Sequence, residues 1–332
     1  MMSESEALLR VEDLAVNFRK GRGQLLPVID AARFTLHRNE AIGLVGESGS
    51  GKTMLCRALI GTLKRHGAVI TGGRILFDGR DLASAPERTW RRVRGRQISY
   101  VPQSSLAGLN PLLTIETQLL ESIAVVKKLG RSEAKREAAE LLEIVRIPRA
   151  QQVLKARSHQ LSGGMRQRVM IATAIAQEPK LLIADEPTTA LDVTIQREIL
   201  TLITSLRQEL GMALILVSHD LAVIEEVCDN VMVMYAGASV EEGPVEALTG
   251  APQHPYTRAL RVSRVDLTAP GEDLEAIPGD PISVGSWPEG CRYWPRCPLA
   301  DAECQADPHP RLVPVAEQLS ACIHADRMGE LQ

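Results

Sequence analysis

The stretch Gly46-Glu47-Ser48-Gly49-Ser50-Gly51-Lys52-Thr53 constrains this chain more than any other. It has the spacing G-x-x-x-x-G-K-T, a loop that belongs between a strand and the first turn of a helix. Both flanks are present: Ala41 to Val45 is a short apolar run suited to a buried strand, and Met54 to Leu63 reads as a helix. Glycines at these positions let backbone N–H groups turn inward around phosphate oxygens, and the helix N-terminus adds partial positive charge. Lys52 is placed to reach the β and γ phosphates, and the Thr53 hydroxyl to ligate Mg²⁺. A glycine-rich turn without a ligand is the bland alternative, and the Lys-Thr pair with the correct flanks weighs against it. The loop implies a nucleotide but leaves its use open.

Other stretches sharpen that use. Leu8 to Phe18 alternates in part and predicts an edge strand of a small antiparallel sheet, continued by Val28 to Leu36 and Ile75 to Phe77 with a turn at Asp78-Gly79. Phe18 can stack on an adenine ring or serve simply as a core phenylalanine. Ile98 to Val101 predicts a strand ending at Pro102-Gln103. Helical periodicity follows over Thr114 to Leu129 and Ser132 to Val145, and a polar run leads from Pro148 to Gln160. In Leu161-Ser162-Gly163-Gly164-Met165, Ser162 suits a helix N-cap, and the Ser-Gly-Gly at that N-terminus is a second candidate anion site. Leu181 to Ala184 reads as a buried parallel strand delivering Asp185 and Glu186 at its C-terminal end, where ligands sit in open α/β sheets. Asp185 suits the Mg²⁺ shell, and Glu186 suits orienting or deprotonating a water that attacks the γ-phosphate. Ala213 to Val217 predicts the next strand, and His219 beyond it can donate to the γ-phosphate or be an ordinary histidine at a strand end.

In this order, the phosphate loop, Gln103, the helical insert, Leu-Ser-Gly-Gly-Met, Asp185-Glu186, Ala190-Leu191-Asp192 and His219 resemble the nucleotide-binding subunit of an ABC transporter over residues ~8 to ~250. The runs Gln160 to Val193 and Gln253 to Leu260 are similar to the dipeptide/oligopeptide importer branch, which nickel and glutathione importers share. The resemblance implies an α/β fold of the ABC type: a mixed sheet core with an antiparallel β subdomain, a helical subdomain at about 104–160 and a small irregular C-terminal extension. It implies a cassette over 1–250 and an extension over 251–332. ATP is expected against Phe18, Gly46 to Met54, Gln103, Asp185, Glu186 and His219. Mg²⁺ is expected on Thr53, Gln103 and Asp185, and catalysis through Glu186, His219, Gln103 and Lys52. Leu161, Ser162, Gly163, Gly164, Met165 and Asp192 would serve the ATP held by a neighbouring subunit, since two such subunits sandwich ATP head to tail. Ser104 stands where the family often has an acid, and Ser158 where a proline is common. Neither is a catalytic group.

The implied partners are a second ABC ATPase subunit, with a different polypeptide favoured over a second copy, two transmembrane permease subunits and an extracytoplasmic substrate-binding protein. The implied place is peripheral, on the cytoplasmic face of the inner membrane. Composition agrees: no apolar run approaches the ~18 residues of a membrane span, and Met1 to Arg10 lacks the basic-then-apolar pattern of a signal peptide. The formal net charge of −3 argues against a nucleic-acid surface. A soluble ABC ATPase acting on ribosomes or DNA would be expected to carry two cassettes or a long coiled-coil insert.

Of six cysteines, Cys56 and Cys228 stand alone in apolar surroundings and read as core residues. Cys291, Cys297, Cys304 and Cys322 crowd the extension, with five, six and 17 residues between them. Nine of the 19 prolines fall between Pro270 and Pro314, which excludes long helices or a central strand there, so the segment needs a staple. The spacing fits a four-iron, four-sulfur cluster or zinc without choosing. Gly290 to Pro298 with Cys304 and Cys322 is similar to the cysteine-rich tail of the peptide-importer ATPases. That resemblance implies a [4Fe–4S] cluster on the four cysteines, which some of those ATPases bind, with zinc or no metal as the alternatives. His324, two residues after Cys322, reads as a neutral bystander rather than a substitute ligand.

Overall fold

The computed structural model describes residues 7–264, 276–306 and 308–331. The start of the N-terminal stretch, residues 1–6, and Pro270 lie outside them. In chain order the elements are β1 (Ala7–Arg19), β2 (Leu25–His37), β3 (Ala41–Val45), α1 (Lys52–Leu59), β4 (Ala68–Phe77), β5 (Arg80–Asp81), α2 (Glu87–Val93), β6 (Ile98–Val101), α3 (Ser105–Gly108), α4 (Ile115–Val126), α5 (Arg131–Ile144) and α6 (Ala150–Lys155). There follow α7 (Gly163–Ile175), β7 (Leu181–Asp185), α8 (Val193–Leu210), β8 (Ala213–Ser218), α9 (Leu221–Val227), β9 (Asn230–Tyr235), β10 (Ala238–Pro244), α10 (Val245–Gly250), α11 (Pro255–Val262), β11 (Val313–Val315) and β12 (Gln318–Ser320). No helix of the described residues is long and apolar enough to cross a membrane. The chain divides into two compact units, 1–84 with 216–332, and 85–215.

In the first unit, β2, β1, β4 and β5 form an antiparallel sheet in that order. The sequence suggested an edge strand for Leu8 to Phe18. Instead β1 is interior, pairing with both β2 and β4. Its alternation is broken by a bulge at Asp13, which has φ 45°, and that break mimics the irregularity of an edge. Leu9, Val11, Leu14 and Val16 are nonetheless fully buried. Asp78 and Gly79, both at positive φ, close the β4–β5 hairpin as the sequence indicated. A second group of strands runs β11-β12-β10-β9-β3. β3 and β9 are parallel, and β10 turns back antiparallel on β9. α1 ends at Leu59, short of the expected Leu63, because Gly61 turns left-handed at φ 64°.

In the second unit β6 and β7 pair in parallel, with Ile98 opposite Leu181. Leu181 to Ala184 are fully buried, which explains an unbroken apolar run rather than alternation. The helices α4 and α5 fall where the periodicity placed them. The polar run after Pro148 conceals α6, whose Ala150, Val153 and Leu154 are buried. Ala150, Val153 and Leu154, three and four residues apart, make one helical face, and Gln151, Gln152 and Lys155 around them hide it. Arg168 on α7 ties this unit together, donating to the Val145 carbonyl at 3.0 Å and to Glu198 on α8 at 2.7 Å.

Candidate functional site

The phosphate-loop sequence builds its own shape. Gly46 has φ 151°, and a Cβ there would lie 2.1 Å from the Met234 carbonyl oxygen, so only glycine lets the loop leave β3 against β9. Glu47 O accepts from Ser50 N–H at 3.2 Å, and Leu55 N–H donates to Gly51 O at 2.9 Å to start α1. Lys52 is buried, its Nζ donating to Gly46 O at 2.6 Å and Glu47 O at 3.0 Å. The ammonium thus lies folded back under the loop. Ser48 and Gly49 are exposed at its rim, and Met54 is buried in α1. Phe18 is half-buried in β1, opposite Leu26 and Ala68. His219, also in this unit, is exposed just after β8, where Asp220 caps α9 by accepting from Ala222 N–H at 2.8 Å.

The second unit brings Gln103, Asp185 and Glu186 together. Asp185 is 1% exposed and accepts a hydrogen bond from Tyr100 Oη at 2.8 Å. Glu186 sits at φ 46°, a left-handed conformation that turns the chain sharply at the strand end. One of its carboxylate oxygens accepts from both Gln103 Nε2 at 2.7 Å and Thr189 Oγ1 at 2.8 Å. The Tyr100 contact escaped the sequence reading. It follows from the parallel register, which sets Val101 opposite Ala184 beside it.

Ser162 caps α7 as expected, accepting from Met165 N–H at 3.3 Å. Arg166 donates back to Leu161 O at 2.8 Å. A Cβ on Gly164 would come 2.8 Å from Ile195 Cγ2, so the second glycine admits α8 against the helix start. Asp192 is the N-cap of α8, accepting from Ile195 N–H at 2.9 Å.

The extension packs on the first unit rather than forming a core of its own. β12 pairs antiparallel with β10, and Ala321 N–H continues the ladder to Val240 O. Pro314 lies in β11, an edge strand, where a missing N–H costs nothing. Tyr293 joins Tyr235 and Tyr256 in a cluster with ring centroids 4.6–5.3 Å apart. Each such pair contributes about 0.5–1.5 kcal/mol beyond its buried area. Two buried arginines complete the attachment. Arg292 pairs with Asp30, donates to Ala236 O at 2.8 Å and lies 3.7 Å over the Trp287 ring. Arg296 grips Glu47 of the phosphate loop through both carboxylate oxygens, at 2.7 and 3.0 Å. Neither arginine was singled out from the sequence, because their partners lie some 250 residues away.

Cys291, Cys297, Cys304 and Cys322 line one cavity, together with His254, Tyr293 and Leu299. Burial pushes the Cys322 thiol up to about 12 and the Cys297 thiol up to about 11, and the neighbouring thiols add to both shifts. Cys291 and Cys304 move in the same direction, for the same leading reason. Tyr293 Oη and His254 Nε2, both buried, have no hydrogen-bond partner among the described residues. Asp301, Cys304 and His324 also bring one ligand atom each to within 4.8 Å of one another, with His324 Nε2 2.8 Å from Asp301. Cys56 and Cys228 are core residues, as expected.

Residues 29–189 match the family described as ABC transporter, and residues 240–304 match the oligopeptide/dipeptide transporter C-terminal region. The chain is 42% identical over 305 residues to the oligopeptide transport ATP-binding protein OppD of Escherichia coli (strain K12), covering 92% of this chain and 90% of that one. It is 42% identical to the oligopeptide transport ATP-binding protein AppD of Bacillus subtilis (strain 168), covering 90% of each. Among solved structures, it is similar in fold to an ATP-binding cassette captured as a dimer after hydrolysis with ADP and Pi. The TM-score there is 0.63 at 24% identity, covering 71% of this chain and 98% of that one. The fold and the motif set are those of an ABC-type ATPase. The chain belongs to the ABC transporter family, in the branch of oligopeptide and peptide import ATP-binding proteins.

Proposed function

We propose that this chain hydrolyses ATP to power import of dipeptides or oligopeptides across the inner membrane, from its cytoplasmic face. It would do so with a second ATPase subunit, favoured to be a different polypeptide, two permease subunits and an extracytoplasmic binding protein. The cassette spans 1–250, with its helical subdomain at about 104–160, and the extension spans 251–332. Gly46 to Met54 would serve the phosphates, Phe18 the adenine and His219 the γ-phosphate. Gln103, Asp185 and Glu186 are the other ATP-binding residues of this reading. Thr53, Gln103 and Asp185 would hold Mg²⁺, whose charge stabilises the transferring phosphoryl group. Leu161 to Met165 and Asp192 would face ATP on the neighbouring subunit.

The observation that carries this reading is the fixed carboxylate of Glu186. Gln103 and Thr189 both donate to one of its oxygens. A carboxylate held in this way is oriented to accept a proton from water at no reorganisation cost. Lys52 Nζ already lies among oxygen acceptors of the loop, Gly46 O, Glu47 O and Ser50 Oγ, where phosphate oxygens would take their place. The test is Glu186→Gln in the reconstituted complex. ATP binding should survive while turnover and the uptake of a defined peptide fall by about 10²-fold or more. Undiminished hydrolysis would overturn the assignment.

The four cysteines, we propose further, hold a [4Fe–4S] cluster. Four thiols lining one cavity fit the donor set. Their raised proton affinity is what a bound cation would reverse. Such a group would cross-link the extension's loops in place of a core. Asp301, Cys304 and His324 favour a second reading, a single zinc-like cation on mixed donors. Iron and labile-sulfide analysis of anaerobically purified protein separates the two. About four irons per chain support the cluster, and zinc without iron supports a zinc site in its place.

A further inference from the structure

Glu47 is held from three sides. Its N–H donates to Tyr256 Oη at 2.8 Å, its carbonyl accepts from Lys52 Nζ at 3.0 Å, and its carboxylate takes both terminal nitrogens of Arg296. The two external partners, Tyr256 and Arg296, come from beyond residue 250. Tyr256 is fully buried between the rings of Tyr235 and Tyr293. Arg296 is 7% exposed, and besides Glu47 it donates through Nε to Pro278 O at 2.6 Å and lies 3.3 Å from Tyr235 Oη. The short 3-10 helix Trp294–Arg296 that carries it ends on Cys297, one of the residues lining the cysteine cavity.

We propose that Arg296 is a positioning residue of the phosphate loop. Two effects follow from its geometry. A carboxylate beside a phosphate site repels the ligand unless its charge is compensated, and a paired guanidinium supplies that compensation. The two-pronged grip also fixes the Glu47 backbone, whose carbonyl accepts from Lys52 Nζ beside Gly46 O and Ser50 Oγ. A loop released from Arg296 would lose the alignment of Lys52 and present an unpaired negative charge to ATP. A lysine at 296 restores the charge but not the parallel pair of hydrogen bonds. The extension is in this sense part of the nucleotide site, although none of its residues would touch the nucleotide.

The proposal rests on the reading of Gly46 to Thr53 as the phosphate site, so the experiment includes Lys52→Ala as a reference. A fluorescent ATP analogue is titrated into the full-length protein, with KM and kcat for ATP measured beside it and circular dichroism as the check on folding. If Lys52→Ala binds as the parent does, the phosphate-loop reading itself falls. If Lys52→Ala loses binding, Arg296→Met should weaken the analogue about tenfold or more, with KM rising more than kcat falls. Arg296→Lys should lie between parent and Arg296→Met. Adding Glu47→Gln to Arg296→Met should recover part of the lost affinity, because the uncompensated charge is gone. A folded Arg296→Met that binds as tightly as the parent overturns the proposal. Should Arg296→Met fail to fold, Arg296→Lys decides: a loss of about threefold or more supports the role, and parental affinity overturns it.

Discussion

The phosphate loop and the cysteine-rich extension belong to the same unit and are built by opposite means. Eight consecutive residues settle the loop: glycines where the backbone crowds β9, and a lysine that folds back onto the carbonyls of its own turn. The extension has short local turns and the β11–β12 hairpin, but what seats it on the rest of its unit comes from far away in the sequence. It is placed by Arg292 on Asp30, by Arg296 on Glu47, and by a three-residue strand added to β10. Short-range structure can be varied one residue at a time, whereas an element held by distant partners fails or survives as a block. The two regions meet at Glu47, which belongs to the first by sequence and to the second by contact.

Substitutions can break this contrast. The largest effect is expected at Gly46→Ala, where the new Cβ would meet Met234 O at 2.1 Å. Because a backbone atom stands in the way, relaxation is limited. We expect a stability loss of about 3–5 kcal/mol and loss of nucleotide binding, read by denaturant melts and ATP titration. Parental stability would mean that the loop is not set by that contact.

A somewhat smaller effect is expected at the root of the extension. Glu241 on β10 is fully buried and accepts from the N–H groups of Gln253 and His254. Burial pushes its carboxyl up to about 7, against the opposing pull of those hydrogen bonds. Between about pH 4.5 and 7 the folded chain therefore holds a proton that the unfolded chain has lost. This contribution to stability is complete at lower pH and disappears as pH rises through 7. Glu241→Gln removes the titration. Its stability relative to the parent should rise by about 3 kcal/mol between pH 4.5 and pH 8. A constant difference across that range would show that the carboxyl titrates normally.

Arg292→Met sharpens the contrast at about 2 kcal/mol. It removes the pair with Asp30, the hydrogen bond to Ala236 O and the stacking on Trp287, but leaves only a half-exposed carboxylate behind. Hydrogen exchange should quicken through residues 276–331 and stay nearly parental in 85–215. Uniform quickening would mean that the extension is not held as a separate block.

These differences also explain what the sequence disclosed. The phosphate loop, the carboxylates Asp185 and Glu186 at the end of β7 and the Ser162 cap were legible because each is a local chemical requirement met within a few residues. The strand and helix periods placed β3, β6, β7, α4 and α5 for the same reason. The interior position of β1 was hidden, because a bulge at Asp13 disguises a doubly paired strand. α6 was hidden by its polar residues. The arginines of the extension and Tyr100 were illegible because nothing near them in the chain calls for a partner. Glu47 was read as one more residue of the loop, although its side chain is spoken for by Arg296.

The smallest expected effect tests whether a locally legible residue has only a local role. Ser162 accepts from Met165 N–H, and losing such a cap costs about 1 kcal/mol. If capping is its whole task, Ser162→Ala should lower the melting temperature by a few degrees and leave ATP turnover per folded complex near the parent's. If it also faces ATP on the neighbouring subunit, turnover should fall at the neighbour's site and not at its own. A complex pairing Ser162→Ala with a neighbour disabled at its own catalytic glutamate therefore keeps its remaining turnover. A complex pairing Ser162→Ala with Glu186→Gln in this chain, and an intact neighbour, loses it. Equal turnover in the two complexes would reduce Ser162 to a helix cap and leave the shared-site reading without this residue.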